Sequence, residues 1–289
     1  METAEQEWPD YVYRAFRMVY YAGGFQEGIE NFARRWGGFD ANSLERALRQ
    51  AEWEEKLIAI FALGSLNPPD VQEMLAPLLQ SAVRIERWAS AIALGRLHDE
   101  QALPVLRTIL QYEALLPIME DLTDESMCYI GYRDIIVSLL ANWGDSGSIP
   151  ILHAALKAAW GRELQLLANP PSYAKFNLVP FWQTYQYTLA YALGQLGVYG
   201  GLTDIPFSDS RRRILMIYMA LGYLVEQDDI FTKMTLDKKL QGEVAKALER
   251  LFGLSEAEQH VCLKYFGNDY FREGALDRHP SHPHQMEGE

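Results

Sequence analysis

The chain has 289 residues, is 49% apolar and 12% aromatic, and carries a formal net charge of −13. That apolar share is ample for a buried core and excludes wholesale disorder. The excess of acid argues against nucleic acid as a partner, because affinity there rests on neutralising phosphates with Lys and Arg. Apolar runs are short and broken by charge. None approaches the roughly 20 apolar residues that span a bilayer, so no membrane association is expected. The N-terminal stretch METAEQEWPDY is acidic and lacks the basic-then-apolar order of a secretory signal, which predicts a cytoplasmic location. Cys128 and Cys262 lie far apart in no ligand-type spacing, as fits a reduced compartment.

Residues 8–22 are predicted as a helix with Pro9 in its first turn; Val12, Ala15, Phe16, Val19 and Tyr20 form its apolar stripe, and Gly23 and Gly24 close it. Phe25, Ile29, Phe32, Ala33 and Trp36 make a second stripe that ends at Gly37 and Gly38. Asn42 with Glu45 has the spacing of a capping box and opens a short third helix. Residues 1–51 thus read as an N-terminal helical cap.

From residue 52 a repeat takes over. Residues 57–79 align with 88–110 at an offset of 31, placing Phe61 on Ile92, Gly64 on Gly95 and Leu75 on Leu106. Each first helix ends in Ala-Leu-Gly-x-Leu, at Ala62 to Leu66 and at Ala93 to Leu97. Small Ala and Gly let neighbouring helices approach while the leucines fill the layer between them. Asp70 and Asp99 stand where the second helix of each pair needs an N-cap. Leu103-Pro104 then matches Ile149-Pro150 at an offset of 46, with Asp99 falling on Asp145, so an insertion is expected at 112–129. A second interruption, 157–180, contains Asn169, Pro170 and Pro171. Interruptions of this length are more often functional than connecting. The motif returns at Ala192 to Leu196 and Ala220 to Leu224, and as a variant with Glu249 in the glycine position at Ala247 to Leu251. Ser255 with Glu258 predicts a capping box for a last helix, and residues 277–289, rich in Pro and His, read as a mobile tail.

The pattern Ala-Leu-Gly-x-Leu-x-Asp followed by Ala-Leu-Pro-x-Leu resembles the bacterial HEAT-like repeats, a type also found in phycobilisome lyases. The resemblance, with the repeat period, implies an all-α, right-handed α-α superhelix (a HEAT-like solenoid) of about five to six helix pairs over 52–276 behind the N-terminal cap. Folds of this type host scaffolds, chromophore lyases, DNA glycosylases and a di-iron hydroxylase, so the fold selects no function by itself.

A di-iron site would need His-Glu pairs on successive helices; His98-Asp99 occurs once and reads as a polar turn with an N-cap. His279, His282 and His284 are separated by prolines in the tail and predict no structural or catalytic metal site. Neither cysteine has an assignable activating base, and Gly194 to Gly201 lacks the Lys-Ser/Thr pair that grips phosphate and magnesium. No cofactor, no metal and no catalytic residue is therefore expected. The second helix of a HEAT pair lines the concave side. There Arg107 and His153 share one aligned position, with Gln111 and Lys157 one turn further on, and this row is the predicted binding ridge. Tyr173, Phe176, Phe181 and Trp182 in the second interruption either wall a pocket or partner groove or pack the insertion against the array. Tyr187 and Tyr191 align with Trp88 and Ile92 and are expected in the core. Arg211, Arg212 and Arg213 point in different directions on a helix, and read as a solvated helix start or as a contact to an acidic ligand or partner. The expected function is a non-enzymatic protein–protein interaction scaffold or adaptor that binds another protein on its concave face and inserted loops. The alternative is a small-molecule or chromophore-binding protein resembling the phycobilisome lyases. Partner identity and oligomeric state stay open at this level.

Overall fold

The computed structural model describes residues 8–19, 26–111, 124–168, 179–224 and 238–267. Among these residues the chain forms α-helices and 3-10 turns and no strand. In order, the helices are α1 (Asp10–Val19), α2 (Gln26–Trp36), α3 (Ala41–Gln50), α4 (Trp53–Leu66), α5 (Val71–Leu75), α6 (Arg84–Arg96), α7 (Leu103–Gln111), α8 (Asp124–Asn142), α9 (Ile149–Ala168), α10 (Val179–Gln195), α11 (Asp209–Leu224), α12 (Lys238–Phe252) and α13 (Glu256–Gly267). The fold is all-α and built of HEAT-like helical repeats. The chain divides into two compact units. One holds α1 to α6, most of α7 and the start of α8; the other holds the rest of α8 and α9 to α13.

In the first unit α4 is the central helix, with α1, α3 and α6 packed on it. Its residues Leu57 to Gly64 are buried without a break, as are Trp88 to Gly95 of α6. A helix that is apolar all round is one enclosed by neighbours, which is why these two show little amphipathic pattern. Gly64 lies against α6 so closely that a Cβ there would stand 2.8 Å from the Cβ of Ala93. The Ala-Leu-Gly motif therefore works between repeats, the glycine of one helix receiving the alanine of the next. Between the same two repeats, the buried Ser90 hydroxyl donates to the Leu75 carbonyl at 2.7 Å and ties α6 to the end of α5. The N-terminal helices are amphipathic and close over an aromatic cluster, in which Phe32 stacks on Phe39 at 4.8 Å and both meet Phe16 edge-on.

Helix entrances follow the expected chemistry in part. Asp99 caps the 3-10 turn before α7 by accepting from the Gln101 N–H at 2.9 Å. Asp145 leads into the matching turn before α9 and holds the Ser148 hydroxyl. Ser255 and Glu258 form the capping box, with the Ser255 N–H donating to Glu258 Oε2 at 2.8 Å. At α3, however, the cap is Asp40, which accepts from the Ser43 N–H at 3.0 Å; Asn42 already lies inside the helix. Asp70 precedes α5 but makes no side-chain cap bond, because its backbone is not in the extended conformation that aims a capping carboxylate at the helix. Pro9 sits just before α1, where its carbonyl accepts from the Val12 N–H. Tyr20, Gly23, Gly24 and Phe25 lie outside the described residues.

The second unit departs from a regular array. Residues 157–168, expected to begin an interruption, continue α9 to Ala168. Helices α10 and α11 both end in the repeat motif, yet no second helix separates them: residues 196–208 cross as a strap of turns. The two motif helices consequently pack on each other. A Cβ on Gly194 would meet the Met219 carbonyl oxygen at 2.1 Å, and one on Gly222 would meet the Tyr191 carbonyl oxygen at 2.1 Å.

Candidate functional site

The long helix α9 has two faces with different jobs. Leu152, Ala155, Leu156, Ala159, Glu163 and Leu166 recur at helical spacing and are buried. Glu163 is the anomaly in that row, a carboxylate only 2% exposed. Its Oε1 accepts from Gln183 Nε2 of α10 and from an Arg211 amino group of α11, both at 2.7 Å, and its Oε2 accepts from Gln186 Nε2 at 2.7 Å. Arg211 also donates to the Tyr187 hydroxyl and lies over that ring at 5.5 Å from its centre. Tyr187 in turn stacks on Tyr218 at 4.7 Å with the rings nearly parallel. Burial holds the Tyr218 hydroxyl well above the usual phenol range, reinforced by Tyr187, so it stays neutral. A buried charge is tolerated when it is paired and its lone pairs are filled; here both carboxylate oxygens are filled by three donors. The cluster joins α9, α10 and α11 at one point and fixes the rotation of α9.

The flank of α9 carries His153, Lys157, Trp160, Leu164 and Leu167, which fall on one stripe at steps of four, three, four and three residues. Its first half is covered by the strap. The His153 ring rests on Gly201, where φ is +89° and a Cβ would stand 2.3 Å from the ring. Phe207 meets Trp160 edge-on at 4.9 Å. Leu202, Ile205 and Phe207 of the strap are buried. The second half is open, with Leu164 and Leu167 44% and 58% exposed; in the first half Lys157, between His153 and Trp160, also stays exposed.

Of the predicted contact residues, Arg107 (half-buried) and Gln111 (exposed) lie one turn apart on α7, and His153 and Lys157 one turn apart on α9. His153 faces the strap, while Lys157 faces solvent. Trp182 is buried and meets Tyr185 edge-on at 6.4 Å, so it belongs to the core of α10. Tyr173, Phe176 and the side chain of Phe181 lie outside the described residues. Arg211 pairs inside the chain with Glu163, which neither the solvated helix start nor the acidic-ligand reading of the arginine run anticipated; the charge of Arg213 acts on Glu258 and Cys262 of α13. Glu163, Leu164 and Leu167 were not anticipated. The signal was present in Leu152, Ala155, Leu156, Ala159, Leu166, a helical row in which Glu163 is the one charged member.

Other chemistry is sparse. Burial pushes the Cys262 thiol up, with Arg213 opposing and Glu258 adding, so it is a poor nucleophile at neutral pH. His98 occupies a left-handed turn position with φ 57°. Among the described residues no group of three His, Cys, Asp or Glu could hold a metal ion, and no helix is long and apolar enough to cross a membrane.

Helices paired through Ala-Leu-Gly contacts define an all-α helical-repeat fold among the described residues. Residues 41–121, from α3 through α7, match the family model of HEAT repeats. Comparison with curated proteins and with solved structures returned no match.

Proposed function

We propose that this protein is a non-enzymatic interaction module that binds another protein through the open flank of α9. HEAT repeats commonly serve protein–protein interaction, and the observation that carries the reading here is the pair Leu164 and Leu167. Two large apolar side chains are exposed on adjacent turns of one helix, with Lys157 two turns before Leu164. Exposed apolar residues on a surface held rigid from beneath are favourable contacts, because little ordering entropy is lost on binding. Glu163, next to Leu164 in the chain, supplies that rigidity through α10 and α11. Burying the part of each leucine that is still exposed would contribute about 1 kcal/mol each. Arg107 in the first unit and Gln111 in the second are candidate contacts on α7.

The test is affinity capture from native lysate with the wild-type chain and an L164D/L167D variant, with circular dichroism as a check on folding. The expected outcome is one protein retained in stoichiometric amount by the wild type and reduced at least about tenfold by the variant. Equal recovery by both baits would sink the α9 reading. A coloured or apolar small molecule in place of any protein would favour a chromophore-binding function resembling that of the phycobilisome lyases.

A further inference from the structure

We infer that the strap formed by residues 196–208 is an acid-released cover on α9, with His153 as the group that releases it. The strap takes the place of a second helix and is held in two ways. Apolar contact is one, through Leu202, Ile205 and Phe207, the last against Trp160 at 4.9 Å. The His153 ring under Gly201 is the other, with Cε1, Nδ1 and Nε2 lying 2.3, 2.9 and 3.2 Å from the place of a Cβ. Backbone bonding contributes little. The N–H groups of Leu196, Gly197 and Val198 still bond back to the Ala192, Gly194 and Leu193 carbonyls at the end of α10, and beyond them the Phe207 N–H donates to the Ile205 carbonyl. A segment with few backbone hydrogen bonds opens at low free energy. Whatever alters the His153 contact therefore alters the strap.

Protonation alters it. Burial is the larger influence on the ring and holds its pKa below the usual histidine range; Asp204 of the strap pulls the other way and loses. Helix α10, which packs along α9, carries no charged residue that could stabilise an imidazolium, and Asp204 is the charged residue of the strap. Asp145, ahead of α9, is engaged with Ser148, and Lys157 one turn along α9 adds like charge. The docked strap thus prefers neutral His153, and the released strap accepts the proton at the ordinary value. Docking is complete above about pH 6.5 and weakens as the pH falls below it. With one proton involved, the opening constant rises at most about tenfold per pH unit, down to the depressed docked value. Release uncovers Trp160 and extends the apolar stripe from Leu164 and Leu167 toward the start of α9.

Hydrogen exchange of the amides of residues 201–205 and 207, corrected for intrinsic rates, tests this on the full chain without any partner. The wild type should hold its protection from pH 7.5 to about pH 6.5 and lose it progressively from there to pH 5, and H153F, which keeps an aromatic ring but cannot take a proton, should show pH-independent protection. Constant wild-type protection, or the same pH dependence in H153F, would overturn the inference. Should H153F fail to fold, NMR titration of His153 in the wild type decides. A midpoint below about 6.5 supports the latch and one at or above it overturns it.

Discussion

Gly194 and Gly161 are both helical glycines, and they should respond to alanine in opposite directions. Alanine gains up to about 1 kcal/mol of helix propensity over glycine at either site. At Gly194 the new methyl would lie 2.1 Å from the Met219 carbonyl oxygen. That oxygen belongs to the backbone of α11, so no rotamer change relieves the clash, and overpacking costs about 1–3 kcal/mol or more. The clash wins. Gly161 has nothing within 4 Å, so there the propensity gain stands alone. Thermal melts should show Gly194→Ala lowering Tm by several degrees and Gly161→Ala raising it slightly. A neutral Gly194→Ala would mean that α10 and α11 do not pack as closely as described. The motif made the closeness at Gly194 legible from sequence, since Ala-Leu-Gly recurs; which backbone atom the glycine receives was not, because that depends on the missing helix between α10 and α11.

At the scale of the element, α9 is held by one buried ion pair. Arg211 and Glu163 are 11% and 2% exposed in their side chains, so their interaction is little screened by solvent. Arg211→Met would leave the Glu163 carboxylate buried with only the two amides of Gln183 and Gln186, and stranding a buried charge costs about 3–5 kcal/mol. The surface pair Arg49 with Glu45 is much more exposed, and its loss should cost under about 1 kcal/mol. Urea melts of R211M and R49M separate these expectations; equal midpoints would refute the anchor. Sequence reading located most of these elements and their packed faces, as Phe61, Ile92 and Leu193 show. Its errors have physical causes. A residue three before a glutamate resembles a capping box, so Asn42 outranked Asp40 until the backbone entry was known. The α9 extension was hidden because Asn169 and the two prolines after it suggested an interruption, which was placed too early in the chain. The Glu163–Arg211 contact spans 48 residues, and no local pattern reports a pair formed by the packing of three helices.

For the whole molecule, charge decides what kind of partner is admitted. With 39 acidic against 26 basic residues, the chain repels polyanions. An acidic protein can still bind nucleic acid through a local basic patch, and Arg211 to Arg213 is the one run of three basic residues. That run is not available as a patch: Arg211 is turned inward to Glu163, and the charge of Arg213 acts on α13. Fluorescence anisotropy with a labelled duplex of about 20 base pairs and a single strand of similar length, at about 50 mM salt, should therefore show no saturable rise up to micromolar protein. Low salt is the demanding condition, since counterion release makes phosphate binding strongest there. A saturable rise that weakened steeply with added salt would reveal a phosphate-binding surface and displace the protein-partner reading. A flat response, together with capture of one protein that depends on Leu164 and Leu167, would assign recognition to the apolar flank of α9. The acidic surface would then act by excluding polyanions and steering basic partners toward it.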